Sequence, residues 1–299
     1  MSQHRPRRTT TAGRIYLDLQ NKARRERQDT AMLHRFYVLE RFLARVSISV
    51  FAHRLVLKGG ALLAAYDARR PTQDLDMLAL AIDNDLDTVT HLVSRIAALP
   101  MDDGLVFHAD QTAAETIRED ETYSGVRVTM PATLDRAQVK LKVDVNVGDP
   151  VPGGAVPVHY PELLGEGFTI CGYPIPVVLA EKIETMIRRA DANTRWRDFA
   201  DVLLLTRIHD LDRDAVRSAL EHTAQHRATA LEPLTPLLID LPRRGQIPWA
   251  RFRTRNQLDK LLRSFADVLG EVCAFTDPVL STAAARGARW QASARQWNQ

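Results

Sequence analysis

Leu55-Val56-Leu57-Lys58-Gly59-Gly60-Ala61-Leu62-Leu63-Ala64-Ala65-Tyr66 leads, after the break Arg69-Arg70-Pro71, into Thr72-Gln73-Asp74-Leu75-Asp76-Met77-Leu78. The order is a short apolar run, a glycine pair, a helix-compatible run and then a second apolar run carrying two aspartates at i and i+2. On a strand, side chains alternate faces, so Asp74 and Asp76 share one face while Leu75 and Met77 take the other and enter a core. Two carboxylates on one face repel unless a cation lies between them. A hard divalent ion with oxygen ligands, Mg²⁺ with Mn²⁺ as the alternative, meets that need and brings a phosphate partner with it. Gly59 and Gly60 suit the phosphate side, because glycine lets backbone N–H groups approach an anion closely.

Outward from this stretch the patterning predicts helices from Gly13 to about Phe51, with Asp29-Thr30 as a break and cap. Residues 1–11 read as polar, basic and loose. A helix is expected from Asn84 to Ala98, then strands at Leu105-Val106-Phe107 and Val126-Arg127-Val128-Thr129-Met130, with Thr116 to Gly125 as a turn-rich connector. Val139 to Val147 alternates most cleanly: odd positions are apolar, and Asp144 shares the even face with Lys140, Lys142 and Asn146. The Gly/Pro-rich 148–160 reads as loop or weak edge strand. Beyond it come helices at Val177 to Arg189 and Trp196 to Leu205, then at roughly 212–224, 230–239 and 256–274. The expected organisation is an α+β chain in two domains: 1–160 with N-terminal helices and a mixed-sheet core, and 161–299 mainly helical.

Composition bounds the function. With 45% hydrophobic and 26% charged residues the chain is globular rather than disordered. The net charge is only +3, but the pI is near 9.0 and basic residues crowd the start, which allows a phosphate-binding face. Cys171 and Cys273 lie far apart with no CxxC, giving neither a disulfide framework nor a zinc cluster. No apolar run reaches bilayer length and no secretory h-region precedes the first helix, so a cytoplasmic protein without a membrane partner is expected. Lysine is scarce beside arginine, and Lys182 stands on an otherwise apolar helix start, where a compact ammonium suits a phosphate clamp.

If the strands of Asp74/Asp76 and of Asp144 are neighbours, three carboxylates meet as two-metal phosphoryl or nucleotidyl transfer requires. A lone DxD pair is also a common feature of solvated edge strands. His222 and His226, at i and i+4, lack an acidic partner and a third ligand. Trp290 and Trp297 read as packing residues, and the alternative for Asp198 is a helix-start pair with Arg195.

Glycine pair, spacer and Asp-x-Asp on a strand resemble the polymerase-beta type of nucleotidyltransferase superfamily. The ordered series Lys58-Gly59-Gly60-Ala61-Leu62, Arg70-Pro71-Thr72-Gln73-Asp74-Leu75-Asp76, Ile117-Arg118-Glu119-Asp120 with Tyr123 and Gly125, Lys142-Val143-Asp144-Val145, Ala180-Glu181-Lys182 and Arg195-Trp196-Arg197-Asp198-Phe199-Ala200-Asp201 is similar to the AbiEii/MenT toxin family over about residues 55–205. The resemblance implies a polymerase-beta-like core, with Asp74, Asp76 and Asp144 as metal carboxylates. It implies catalytic roles for Asp74, Asp76, Lys182 and Asp198, with Lys182 reaching the nucleotide triphosphate; on the residues themselves Gly59 and Gly60 complete the nucleotide site, and Thr72 is read as a phosphate contact or modification site, with a turn residue as the alternative. Arg197 stands where the family usually has lysine, a fork in place of a point donor. The implied activity is Mg²⁺-dependent transfer of NMP from an NTP, CTP or another pyrimidine, to the 3′ end of tRNA, blocking aminoacylation. The implied setting is a bacterial toxin–antitoxin pair with a cognate antitoxin protein. The alternatives are transfer to a protein hydroxyl, or a catalytically idle module that binds RNA or antitoxin.

Overall fold

The structure, a computed structural model, describes residues 6–120, 123–281 and 287–298. The chain divides into two compact units, the first comprising Met1–Ala65, Pro71–Gly148 and Val156–Gly172, the second Tyr66–Arg70, Asp149–Ala155 and Tyr173–Gln299. The first unit therefore runs past the boundary expected at 160.

The first unit opens with helices α1 (Thr11–Glu26) and α2 (Thr30–Ile48). Asp29 caps α2 by accepting from the Ala31 N–H, as its place before the apolar series predicts. There follow β1 (Leu55–Lys58), the single turn α3 (Gly59–Leu62) continued by a 3₁₀ turn, β2 (Leu75–Ala79), α4 (Leu86–Ala97) and β3 (Leu105–Phe107). Next come β4 (Ala113–Asp120), β5 (Tyr123–Leu134), β6 (Ala137–Val147), β7 (Val156–Tyr160) and β8 (Phe168–Gly172). They form one mixed sheet in the order β3-β5-β6-β2-β1-β8-β7, with β4 pairing a different stretch of β5 from β3. Where a connector is expected from 116 to 125, β4 and β5 form an antiparallel pair; Glu121 and Thr122 lie outside the described residues. Charged residues at Glu115, Arg118 and Asp120 hide the strand pattern, since an edge strand needs only one apolar face.

The sheet centre is the stretch quoted first. Leu55, Val56 and Leu57 are buried, with β2 antiparallel on one side and β8 parallel on the other. Buried on both faces, β1 reads as a continuous apolar run rather than an alternation. Leu75 and Met77, and Val143 and Val145, are likewise buried, and α2 packs on β6 and β8 while α4 packs on β4 and β5. Burying each such side chain contributes about 1.5–3 kcal/mol.

The second unit holds α5 (Ile175–Arg189), α6 (Trp196–Ile208), β9 (Leu211–Asp212), α7 (Arg213–His226), α8 (Leu234–Leu237), α9 (Leu241–Arg255), α10 (Phe265–Leu280), β10 (Arg289–Gln291) and β11 (Gln296–Asn298). Only helices are expected beyond 205, and this is corrected here: β9, β10 and β11 form a small antiparallel sheet. The segment 256–264 is not α-helical, and α9 takes 241–255 instead. Pro242, Gly245 and Pro248 lower local helix propensity, and packing overrides it: Trp249 is fully buried against Phe265 and Phe252. Gly245 is required there because a Cβ would stand 2.5 Å from the Phe265 ring. Trp290 and Trp297 pack as expected, donating to the Thr206 and Phe275 carbonyls. No helix among the described residues is long and apolar enough to cross a membrane.

Candidate active site

Asp74 immediately precedes β2 and Asp76 is its second residue; both are half-buried, alternating with the fully buried Leu75 and Met77. The Thr72 hydroxyl donates to Asp74 Oδ1 at 3.2 Å and lies 3.3 Å from the Asp74 carbonyl, so Thr72 sets the approach to the strand. Strand β2 runs parallel to β6 in the register Asp76 beside Asp144. The pairing brings the third aspartate to the same face as the first two, which spacing alone leaves open. On the other flank, antiparallel pairing sets Lys58 opposite Asp76.

Gly59 follows with φ +65°, the left-handed region, and a Cβ on it would lie 1.8 Å from Asp76 Oδ2. The glycine is thus demanded twice, by its backbone and by the carboxylate resting over it. Gly60 is buried. Gly59 therefore makes room for Asp76 in this structure.

Register also delivers a residue that sequence reasoning passed over. Arg127 of β5 stands opposite Asp144, its Nε donating to Oδ1 at 2.8 Å and its Nη2 to Oδ2 at 2.6 Å. The Asp144 side chain is only 5% exposed, whereas that of Arg127 is 31% exposed. The hydrogen bond to Asp144 is the main influence holding the guanidinium above its ordinary range; burial works against it, and the charges of Asp144, Asp74 and Glu115 add to the rise. Glu115 of β4 is Arg127's partner on the far side. One row across five strands thus reads Lys58, Asp76, Asp144, Arg127, Glu115. The available signal was a lone arginine between Val126 and Val128 on a predicted strand.

The donors on this face are carboxylate oxygens, the chemistry of a hard divalent cation. Asp74 and Asp76 supply two such half-buried donors. Among the described residues no group of three or more His, Cys, Asp or Glu side chains converges to hold a metal, and Asp144 gives both oxygens to Arg127.

The other predicted residues belong to the second unit. Lys182, on α5, and Asp198, on α6, are both buried. Lys182 Nζ donates to Asp201 Oδ2 at 2.6 Å and lies 3.5 Å from Asp198 Oδ1. Asp198 Oδ2 accepts from Arg195 Nε at 2.7 Å, the helix-start pair the spacing suggests. Asp201, with no exposed surface, also receives the Arg70 fork through Nε and, at 2.8 Å, through Nη2. Burial by itself raises the Asp201 carboxyl; the charges of Arg70 and then Lys182, with their hydrogen bonds, outweigh it and bring it below its ordinary value. Arg70 and Asp201 stand in motifs legible in the sequence, but nothing there shows that they share a buried cluster with Lys182. His222 Nδ1 lies 2.7 Å from the Ser218 carbonyl, the ordinary fate of a helix-surface histidine.

A mixed sheet whose central strands carry a glycine-backed Asp-x-Asp, in a chain with a mainly helical second unit, is the arrangement expected of a nucleotidyltransferase. The chain belongs to the AbiEii family, "Nucleotidyl transferase AbiEii toxin, Type IV TA system", whose model matches residues 41–271. Among solved structures it is similar to a protein of H. pylori provisionally described as a nucleotidyltransferase, at 15% identity and TM-score 0.49, covering 83% of this chain and 96% of that one. It is also similar to JHP933 of Helicobacter pylori, at 14% identity and TM-score 0.42, covering 75% and 94%. Likeness at that level adds no argument about activity. No curated protein matches the chain.

Proposed function

We propose that this toxin transfers NMP from an NTP, CTP or another pyrimidine, to the 3′ end of a tRNA in the cytoplasm, and that an antitoxin counters it. The supporting observation is the β2–β6 register, which sets Asp144 beside Asp76 on the face that Asp74 shares, in a chain of the AbiEii family. The reaction joins the acceptor 3′ oxygen to the α-phosphorus, breaks the bond to the β-phosphate, and releases pyrophosphate and the hydroxyl proton.

Asp74 and Asp76 would hold Mg²⁺, with Asp144 as the further carboxylate of the face. When bound, the ion neutralises phosphate charge and polarises the reacting oxygen. The chain's own contribution is position. Thr72 fixes Asp74, and Gly59 leaves space for the Asp76 carboxylate. In this reading Lys182 meets the triphosphate and Asp198 the nucleotide, the roles the family implies. The basic start of the chain and the arginine-rich second half would meet RNA phosphates, an attraction that weakens steeply with salt.

The test is incubation with each of the four labelled NTPs, Mg²⁺ and total tRNA. Label at tRNA 3′ ends with one pyrimidine, lost in Asp74→Ala, is the expected result. Label on protein instead would replace tRNA with a protein hydroxyl as acceptor. No label from either Asp74→Ala or the unaltered protein overturns the catalytic reading.

A further inference from the structure

We infer that Arg127 occupies the role of a second metal ion at this site, so that the face takes one divalent cation, on Asp74 and Asp76, rather than two. The inference rests on the metal reading just proposed and concerns how many ions that site accepts.

Three observations carry it. Both oxygens of Asp144 accept from a single guanidinium at 2.8 and 2.6 Å, the bidentate arrangement that is the strongest form of carboxylate recognition. The pairing is imposed by strand register, since Arg127 and Asp144 are direct cross-strand partners in the long β5–β6 ladder. It is not a chance meeting of flexible side chains. The third observation is charge. Lys58 and Arg127, set against Asp74, Asp76, Asp144 and Glu115, leave a formal balance of −2, which one divalent ion neutralises. A second ion would leave the row at +2 and would have to strip Asp144 from a cation that cannot be deprotonated.

The arrangement differs from a three-carboxylate metal pair in a definite way. A guanidinium is fixed to the sheet, brings one positive charge and does not leave with product, so charge balance at Asp144 is independent of metal concentration. Asp144 then acts as the anchor for Arg127 rather than as a ligand.

Mn²⁺ binding to the full chain, followed by the electron paramagnetic resonance of free Mn²⁺, tests this without reference to activity. The unaltered protein should take up one Mn²⁺, lost in Asp74→Ala and retained in Asp144→Asn. Arg127→Ala should gain a second Mn²⁺, at least tenfold tighter than any second binding to the unaltered protein, and Arg127→Ala combined with Asp144→Asn should lose it again. Arg127→Gln, which keeps side-chain bulk on the strand, serves the same purpose if the alanine variant does not fold. Two tightly bound Mn²⁺ in the unaltered protein, one of them lost in Asp144→Asn, would overturn the inference while leaving the metal reading intact. A single Mn²⁺ in the unaltered protein that persists unaccompanied in folded Arg127 variants would overturn it too. No uptake at all would remove the metal reading and the inference together.

Discussion

Asp201→Asn isolates the electrostatics of the second unit. Its carboxylate has no exposed surface and is shared by Arg70 and Lys182, whose side chains are only 8% and 10% exposed. Asparagine keeps the shape but removes the carboxylate charge that both buried cations share, leaving Lys182 the more distant Asp198. Removing one partner of a buried ion pair costs about 3–5 kcal/mol, because the remaining charge is neither solvated nor paired. At ~1.4 kcal/mol per decade, the middle of that range is a change of nearly a thousandfold in the unfolding constant. With a urea slope of ~2 kcal/mol/M the midpoint should fall by about 2 M. All four tryptophans, Trp196, Trp249, Trp290 and Trp297, lie in the second unit, so tryptophan emission during a urea titration reports on that unit alone. A double-mutant cycle with Lys182→Met refines the test: the two changes should be less than additive, since the second removes a cation whose nearest carboxylate the first has neutralised. The pH dependence follows from sign. The folded Asp201 carboxyl lies below its ordinary value, so its contribution is fully present above about pH 5 and is lost as pH falls through the unfolded value near ~3.9 and on to the folded one. Asp201→Asn should therefore show a shallower loss of stability in acid. An unchanged midpoint at pH 7, or strict additivity with Lys182→Met, would refute the account of the cluster.

Three further outcomes are expected. Asp76→Asn, at a half-buried position, should leave the thermal melt within a few degrees of the unaltered protein while lowering nucleotide transfer by at least ~10²-fold, about the loss when one preorganised electrostatic contact is removed; normal transfer would exclude Asp76 from the chemistry. Gly59→Ala should cost ~1–2 kcal/mol for its left-handed backbone alone and should also impair transfer, because the new methyl group displaces the Asp76 carboxylate; a fully active, fully stable variant would contradict the described fit. Cys273 has its thiol pushed up to about 11, chiefly by burial, against a lowering by the Thr235 hydrogen bond and with a smaller rise from the nearby Asp277 charge. In a Cys171→Ser background its alkylation by iodoacetamide at pH 8 should run roughly 100-fold slower than that of a free thiol, with the rate still climbing above pH 9. Rapid modification at pH 8 would show the thiol to be less enclosed.

The division of labour between chain and fold is sharp here. Local chemistry alone marked β1, the glycine pair, β2 and β6, because strand alternation and glycine freedom are properties of a few consecutive residues. It also marked Asp74, Asp76, Asp144 and Lys182 as the residues to watch, with Asp198 added by the family resemblance, and it placed Asp29 as a cap. It failed at α9, where Trp249 packing overrides two prolines and a glycine, and at β9–β11, too short to carry a period. What only tertiary structure decided is pairing. That β2 lies between β1 and β6, that the register sets Asp76 beside Asp144 rather than one residue away, and that Arg127 comes from β5 to hold Asp144 are consequences of contacts between segments far apart in the chain. The same holds for Arg70 and Lys182, which meet on Asp201. A sequence specifies such partners only through the whole core that aligns the strands and helices, and no local window contains that information.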